Sequence, residues 1–475
     1  MAVPVRCGQD TRQEDAPTPA TVSSSWLAPS AEAAPSKTRL VRSATGVFSL
    51  APGSRLENNL SWVVGCLELA NAGDFAANVW NEVPVPVYAV VLMGLGGTLA
   101  AVLSVFALRD ARRAWHNVCF VRLQRRRLRQ AGQRAPQHHD ALSLAVLLAV
   151  TFRELWSEVI NRWAMDLLMG FGAVLISAGT YMAIAGANRS VWEASNILSG
   201  YLGNTPIALF GLVNSSWAGY MWLKAHGHRL AVSRLPLLRD SPAAALVRQR
   251  VRHVQIFCIV NGSATLLGGA ASMLTASYWW AYVILIPVIV SSLFCNLWWR
   301  RRLGYTRAQP RLDDSPLELA DLASRLEFAA MAEHVMRSNS HASNLDVLVG
   351  SPSASLPLSR VLHILAQHAL LDTLILDLVS SSPEAADHLT RLSASTPANG
   401  SDAVEYQIGE GHLAALPESM HAQIISLANA CVGRAGARHF GNRKRWLAEL
   451  LGTYCSQARK MGLDAADSSQ KPVPV

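Results

Sequence analysis

The chain has 475 residues, 51% of them hydrophobic and 16% charged, with a formal net charge of +9. This apolar, charge-poor balance at more than single-domain length points to a membrane class rather than a soluble one. The arginines fall between apolar runs instead of on one polar domain, which argues against nucleic-acid binding, and the scattered cysteines have no CxxC or zinc spacing.

Residues 1–55 are rich in Ala, Ser and Pro without hydrophobic periodicity, and they read as a disordered, non-cytosolic tail. No basic start with an apolar core marks a signal peptide, and Asp10, Glu14, Asp15 and Glu32 speak against a mitochondrial presequence. Residues 56–83 form a segment before the first span. Within it, Leu60 to Trp80 is interrupted by Glu68 and Asp74. Each would cost about 2.5 kcal/mol or more near a bilayer centre, so the stretch is expected as a short helix outside the membrane.

Charge-free runs long enough to cross a hydrocarbon core, which takes about 20 helical residues, occur over 84–108, 167–187, 197–223, 254–275 and 278–299. The expected fold is therefore an all-α integral membrane protein: a five-helix transmembrane bundle over 84–299, with a mostly helical soluble C-terminal region over 300–475. Residues 141–164 read as an amphipathic, interfacial or re-entrant helix. Leu155, Trp156, Val159, Ile160 and Trp163 form one face, and Arg153, Glu154, Ser157, Glu158 and Arg162 the other.

Arginine placement orients the bundle. Arg109 to Arg134, Lys224 to Arg252 and Arg300 to Arg302 follow alternate spans, whereas residues 64–83 have no Lys or Arg. Basic loops resist translocation, so the N-terminus is expected outside or in a lumen and the C-terminus in the cytosol, in a membrane the sequence does not name. That topology leaves only Cys7 and Cys66 facing an oxidising compartment. It also makes the sequon at Asn59 the candidate N-glycosylation site, whereas Asn188 abuts a span and Asn399 is cytosolic.

Small residues four apart predict helix contact faces: Gly179, Ala183 and Ala187; Gly211, Ser215 and Gly219; and Ala264, Gly268 and Ser272. Pro206 and Pro287 are expected to kink their spans. Asn204, Asn214, Asn261 and Asn296 are the candidate intramembrane polar site, lining a solute path or serving as interhelical hydrogen-bond partners. No carboxylate is expected inside the spans, apart from Asp166 at the edge of the second, where it favours a helix N-terminus. Arg122, Arg125, Arg126, Arg127 and Arg129 are candidate contacts for anionic headgroups, each worth about 1 kcal/mol near a membrane surface.

Beyond Arg302, Ser315 to Glu318 reads as a capping box, and helices are expected over 358–379, 383–392, 417–432 and 443–461, joined by Ser- and Gly-rich linkers. No HExxH, GxSxG, Walker A or GxGxxG is present, so no catalytic residue, cofactor or metal ligand is assigned. The sequence thus leads to a non-enzymatic membrane component whose partners are the lipid bilayer, anionic lipids and cytosolic proteins recruited by the C-terminal region, with oligomerisation left open. The alternative is a small-solute or lipid transporter or channel using the polar residues of the bundle.

Overall fold

The computed structural model describes residues 37–43, 45–51, 53–80, 85–134, 138–236, 238–309, 317–338, 345, 348, 356–393, 395–397 and 404–462. Expectations for residues 1–36, the Ser315–Pro316 cap and the Asn399 sequon lie outside the described residues. The described chain is mainly helical and divides into two compact units.

The larger unit holds the bundle. Its helices are α1 (Phe75–Val79), α2 (Val87–Arg134), α3 (His138–Glu158), α4 (Met165–Ala183), α5 (Arg189–Asn196), α6 (Thr205–Arg234), α7 (Pro242–Leu274) and α8 (Ala281–Trp298). A π-helical turn over Val159–Ala164 joins α3 to α4 as one rod, and further π turns occupy Ile197–Leu202 and Trp299–Leu303. Among the described residues, four helical rods are long and apolar enough to cross a membrane: Val87–Gln133, Ala141–Ala183, Pro242–Leu274 and Ala281–Leu303.

The count of four corrects the expected five. The missing one is α6, whose apolar stretch is diluted by Asn214, Ser215, Ser216 and Tyr220 and runs on into Lys224, His226, His228 and Arg229. It packs along α7 through small residues. Gly211 faces the Thr265 carbonyl, a Cβ on Gly269 would lie 2.9 Å from Ala208 Cα, and Ser215 Oγ donates to Gly262 O at 2.9 Å. Gly219, the third residue of that predicted face, has open space around it. Pro206 produces no kink, because α6 begins at Thr205 and the proline sits in its first turn, where its missing N–H costs nothing.

The amphipathic stretch at 153–162 has the predicted periodicity and the reverse orientation. Arg153, Glu154, Ser157, Glu158 and Arg162 are buried in the bundle, whereas Trp156 is 41% exposed. The same inversion holds along α2, where Val91, Leu95, Leu99, Val102 and Val105 face outward, and along α8, where Val283, Ile286, Val290 and Leu297 do. An outward apolar skin around buried charge is the arrangement expected where lipid replaces water as the solvent.

The segment before α2 is the largest departure from expectation. A 3-10 helix over Val63–Ala72, followed by α1, threads the bundle antiparallel to α2 instead of lying outside it. Val64, Leu67 and Ala70 share a core with Ala100, Leu103 and Ala107 of α2, Met169, Ala173 and Ile176 of α4, and Ile207 and Phe210 of α6. Further along, Ala76 and Ala77 pack against Ala89 and Met93, and Phe75 and Val79 against Ala271, Tyr282 and Leu285. Backbone contact is tight, since a Cβ on Gly73 would meet Gly96 O at 2.9 Å. Cys66 on this segment is a free thiol.

The entry to this thread is tied to the exit of α8. Strand β3 (Arg55–Leu56) pairs antiparallel with β4 (Arg307–Ala308), Asn58 N donates to Thr306 Oγ1 at 3.1 Å, and Asn58 Nδ2 to Arg300 O at 3.1 Å. Residues 55–58 and 304–308 therefore share one end of the bundle, the end where Arg300, Arg301 and Arg302 lie. The expected odd span count would have placed them at opposite ends.

Part of the C-terminal region also belongs to the bundle unit. Helix α9 (Leu319–Ser338) bonds to the start of α7 through Glu327 Oε1, which accepts from Ala243 N at 3.0 Å. Arg445 Nη1 donates to Gly304 O at 2.7 Å, and Glu333 pairs with Lys444.

The smaller unit contains β1 (Thr38–Arg42), β2 (Phe48–Leu50), α10 (Leu358–Gln367), α11 (Leu371–Ser381), α12 (Pro383–Leu392), β5 (Ser395–Pro397), β6 (Val404–Ile408), α13 (Glu410–Ala414) and the first part of α14 (Glu418–Lys460). Its sheet has the order β2-β1-β6-β5, all antiparallel, with Leu40 opposite Tyr406. The last third of the expected disordered tail thus supplies two strands. The expected helix over 358–379 is two helices, broken where Ala369 takes a positive φ of 57°. The two expected over 417–461 are the single helix α14. Ser382 caps α12 by accepting from Ala385 N at 3.2 Å.

Candidate functional site

One four-residue periodicity on the α3–α4 rod, Glu154, Glu158, Arg162 and Asp166, sets a charged stripe along one helix face and turns it inward. The π turn carries Asn161 and Arg162, and such turns recur where a helix is re-aimed for function. Arg162, 2% exposed, donates from Nη1 to Glu158 Oε2 at 3.0 Å and from Nη2 to Asp110 Oδ2 of α2 at 3.1 Å. Glu158 Oε2 also accepts from Asn117 Nδ2 at 2.9 Å. Further toward the end of the bundle, Glu154 receives Tyr305 OH at 2.8 Å and Arg307 Nε at 2.7 Å.

Beside this network lies a cavity of ≈ 80 Å³. Trp217, Met221, Phe257 and Trp299 form apolar walls, while Arg153, Glu154, Glu158, Asn161, Arg250 and Glu449 supply polar ones. Its charges satisfy one another: Arg153 pairs with Glu449 at 2.8 Å, Arg250 lies 3.8 Å from the same carboxylate, and Glu154 has Arg307. Burial alone would raise the Glu449 pKa, but Arg153, His228 and Arg250 outweigh it and hold the group at about 2. The phenol of Tyr305 is pushed far above its ordinary range, first by burial and then by Glu154 and Glu449.

Four residues that line the cavity each carry a buried polar atom with no hydrogen-bond partner: Asn58 Oδ1, Asn161 Oδ1, Trp217 Nε1 and Arg250 Nε, the last ion-paired with Glu449 at 3.8 Å. Two accept and two donate. An unpaired buried polar atom costs about 1–3 kcal/mol, so these residues keep unused hydrogen-bonding capacity beside one void.

The candidate residues read from the sequence disperse. Asn204 Nδ2 donates to Gly200 O at 2.9 Å, Asn214 Nδ2 to Thr265 Oγ1 at 2.9 Å, and Asn296 Nδ2 to Ser61 O at 2.9 Å, while Asn261 lines the cavity. They do not converge on one void. Of the arginine group, Arg125 turns into the protein, donating to Leu148 O at 2.6 Å and stacking over Phe152, while Arg127 reaches Gln309 Oε1 at 2.9 Å. Arg122 lies over Trp115, and Arg122, Arg126 and Arg129 are exposed. Asn59 is half-buried at the arginine-rich end, with Nδ2 3.4 Å from Glu57 Oε2.

Buried carboxylates were the residues sequence reasoning missed. Asp110 was lost at the end of an apolar run, and Glu68 and Asp74 were set outside the membrane. Glu68 accepts from Asn71 at 2.6 Å, and Asp74 accepts from Tyr282 OH at 2.8 Å and Asn78 at 3.0 Å. The inward stripe at 154, 158, 162 and 166 was the available signal.

Four apolar rods, a threaded central segment and a polar cavity define the class, a multi-helix membrane-type fold. No protein-family profile, curated protein or solved structure matches this chain.

Proposed function

We propose that this protein is a multi-pass membrane protein that binds, and carries across the membrane, a small uncharged solute with both hydrogen-bonding and apolar character. The observation that carries the reading is the cavity with its aromatic walls, lined by residues that carry two buried acceptors and two buried donors without hydrogen-bond partners. An uncharged solute fits best because the ionised groups around the cavity already neutralise one another. In this reading α6 is carried against α7, which takes up its polar residues, and the arginine-rich end faces the cytosol by the positive-inside rule. Residues 55–58 then lie on the cytosolic side, and Asn59 stays unglycosylated.

The test uses the purified full-length protein in nanodiscs, screened by thermal shift against a panel of small neutral amides, alcohols and indoles, followed by flux into proteoliposomes. A true ligand raises the melting midpoint of the wild type and loses at least tenfold in affinity in Ser157→Leu, which fills the cavity, and in Trp217→Phe, which removes a free donor. If every stabilising compound acts equally on wild type and both variants, the cavity is not the binding site. Binding without flux would reduce the protein to a receptor. Recruitment of cytosolic proteins is the second reading, and the sheet-containing smaller unit gives it a folded carrier.

A further inference from the structure

The cluster at Asp110, Glu158, Arg162 and Asp166 is not balanced in charge. Asp110 and Glu158 each share Arg162, and Ser61 N donates to Asp110 Oδ1 at 3.3 Å. Asp166 is 0% exposed, and neither of its carboxyl oxygens has a donor partner, while its side chain faces the Asp110 carboxyl within hydrogen-bonding reach. Its electrostatic neighbours are Asp110, Arg162 and Glu158. Arg162 Nε, also buried, is unpartnered in the same cluster. Three carboxyl groups thus surround one buried guanidinium, and Arg113, half-exposed, lies 3.9 Å from Asp110.

The 3-10 thread packed on α4, Val63–Ala72, holds no Lys or Arg. The threaded segment offers Glu68, already bonded to Asn71, and α6 contributes Ile207 and Phe210. Ionising all three acids would leave Asp166 as a buried carboxylate with no donor, which burial disfavours strongly. Two carboxyls that share a site lower this cost by holding one proton between them.

We propose that Asp166 and Asp110 form a proton-binding site within the bundle, holding one exchangeable proton taken from water and released to water. A proton on Asp166 turns an orphaned acceptor into a donor toward Asp110 and brings the cluster within one charge of neutrality. Glu158 both pairs with Arg162 and lines the cavity, so a change of protonation here reaches the cavity wall through one guanidinium. The proton site stands whether or not the cavity takes a solute.

Infrared spectra of the full-length protein in nanodiscs test this directly. The wild-type-minus-Asp166→Asn difference spectrum at neutral pH should show one protonated-carboxyl C=O band that shifts in D2O. The wild-type-minus-Asp110→Asn difference should show the same band, because either substitution leaves a single aspartate, beside the Glu158–Arg162 pair, that ionises. Asp166→Glu should retain it. A monodisperse elution peak with an unchanged midpoint identifies folded variants, and if Asp166→Asn fails that criterion, Asp110→Asn alone decides. Absence of the band from the difference spectra of folded variants would overturn the proposal. So would its loss on adding sodium or potassium at fixed pH, which would assign the site to a metal cation.

Discussion

Glu449 shows how a single buried carboxylate can report on the arginine-rich end of the bundle. Arg153 donates to it from Nε at 3.0 Å and also holds Thr453 Oγ1 at 2.5 Å. Its folded-state pKa of about 2 lies below the ordinary 4.5. Its stabilising contribution is therefore complete above about pH 4.5 and is lost as the pH falls toward 2. We predict that Glu449→Gln lowers stability near neutral pH by at most about 3 kcal/mol and flattens the acid limb of the melting curve. Thermal midpoints in detergent from pH 2 to 7 check this, and an unaltered acid limb in the variant would remove Glu449 from the account. The charges at 154, 158, 162 and 166 could be read from their spacing, but which way they face could not, because periodicity fixes a face and leaves its solvent open.

At the scale of elements, close backbone approach substitutes for apolar burial. In lipid the hydrophobic drive between helices is absent, and α6 and α7 meet where Gly211 and Gly269 permit contact. Gly211→Leu should force the two helices apart, lowering stability by roughly 1–3 kcal/mol or abolishing the folded peak. Gly219→Leu, on the same helix but in open space, should be near neutral. Comparing the two melting midpoints separates contact from helix propensity, and equal losses would refute the packing face. The small-residue pattern predicted this contact at Gly211 and Ser215 and missed at Gly219, because a four-residue repeat does not know where the partner helix ends. The 3-10 thread is illegible by the same logic. Glu68 and Asp74 are prohibitive against lipid, yet Asn71, Asn78 and Tyr282 satisfy them once four helices enclose them.

At the scale of the whole molecule, the pairing of β3 with β4 brings two distant chain segments to one end of the bundle. It joins residues 55–56 to 307–308, so both segments lie at the arginine-rich end. We predict that Asn59→Gln leaves the electrophoretic mobility of the protein from a glycosylating host unchanged. A glycosylation reporter placed after Gln309 should also stay unmodified, whereas one inserted after Gly186 should be modified. Modification at Asn59 would reverse this orientation.

The sequence alone determined that the chain is mainly helical, with apolar stretches long enough to cross a membrane, and at which loops the basic residues gather. These follow from local composition, because each apolar helix must satisfy its own backbone in lipid whatever surrounds it. Only the tertiary structure decided that residues 63–79 enter the bundle, that α6 leans on α7, that two strands of the small sheet come from the N-terminal region, and that Asp110, Glu158, Arg162 and Asp166 meet. Each depends on partners distant in the chain, and a buried charge is tolerable only where those partners arrive. The protein expected to have almost no carboxylate in its spans is organised around several, and the cavity beside them lies where their paired charges end.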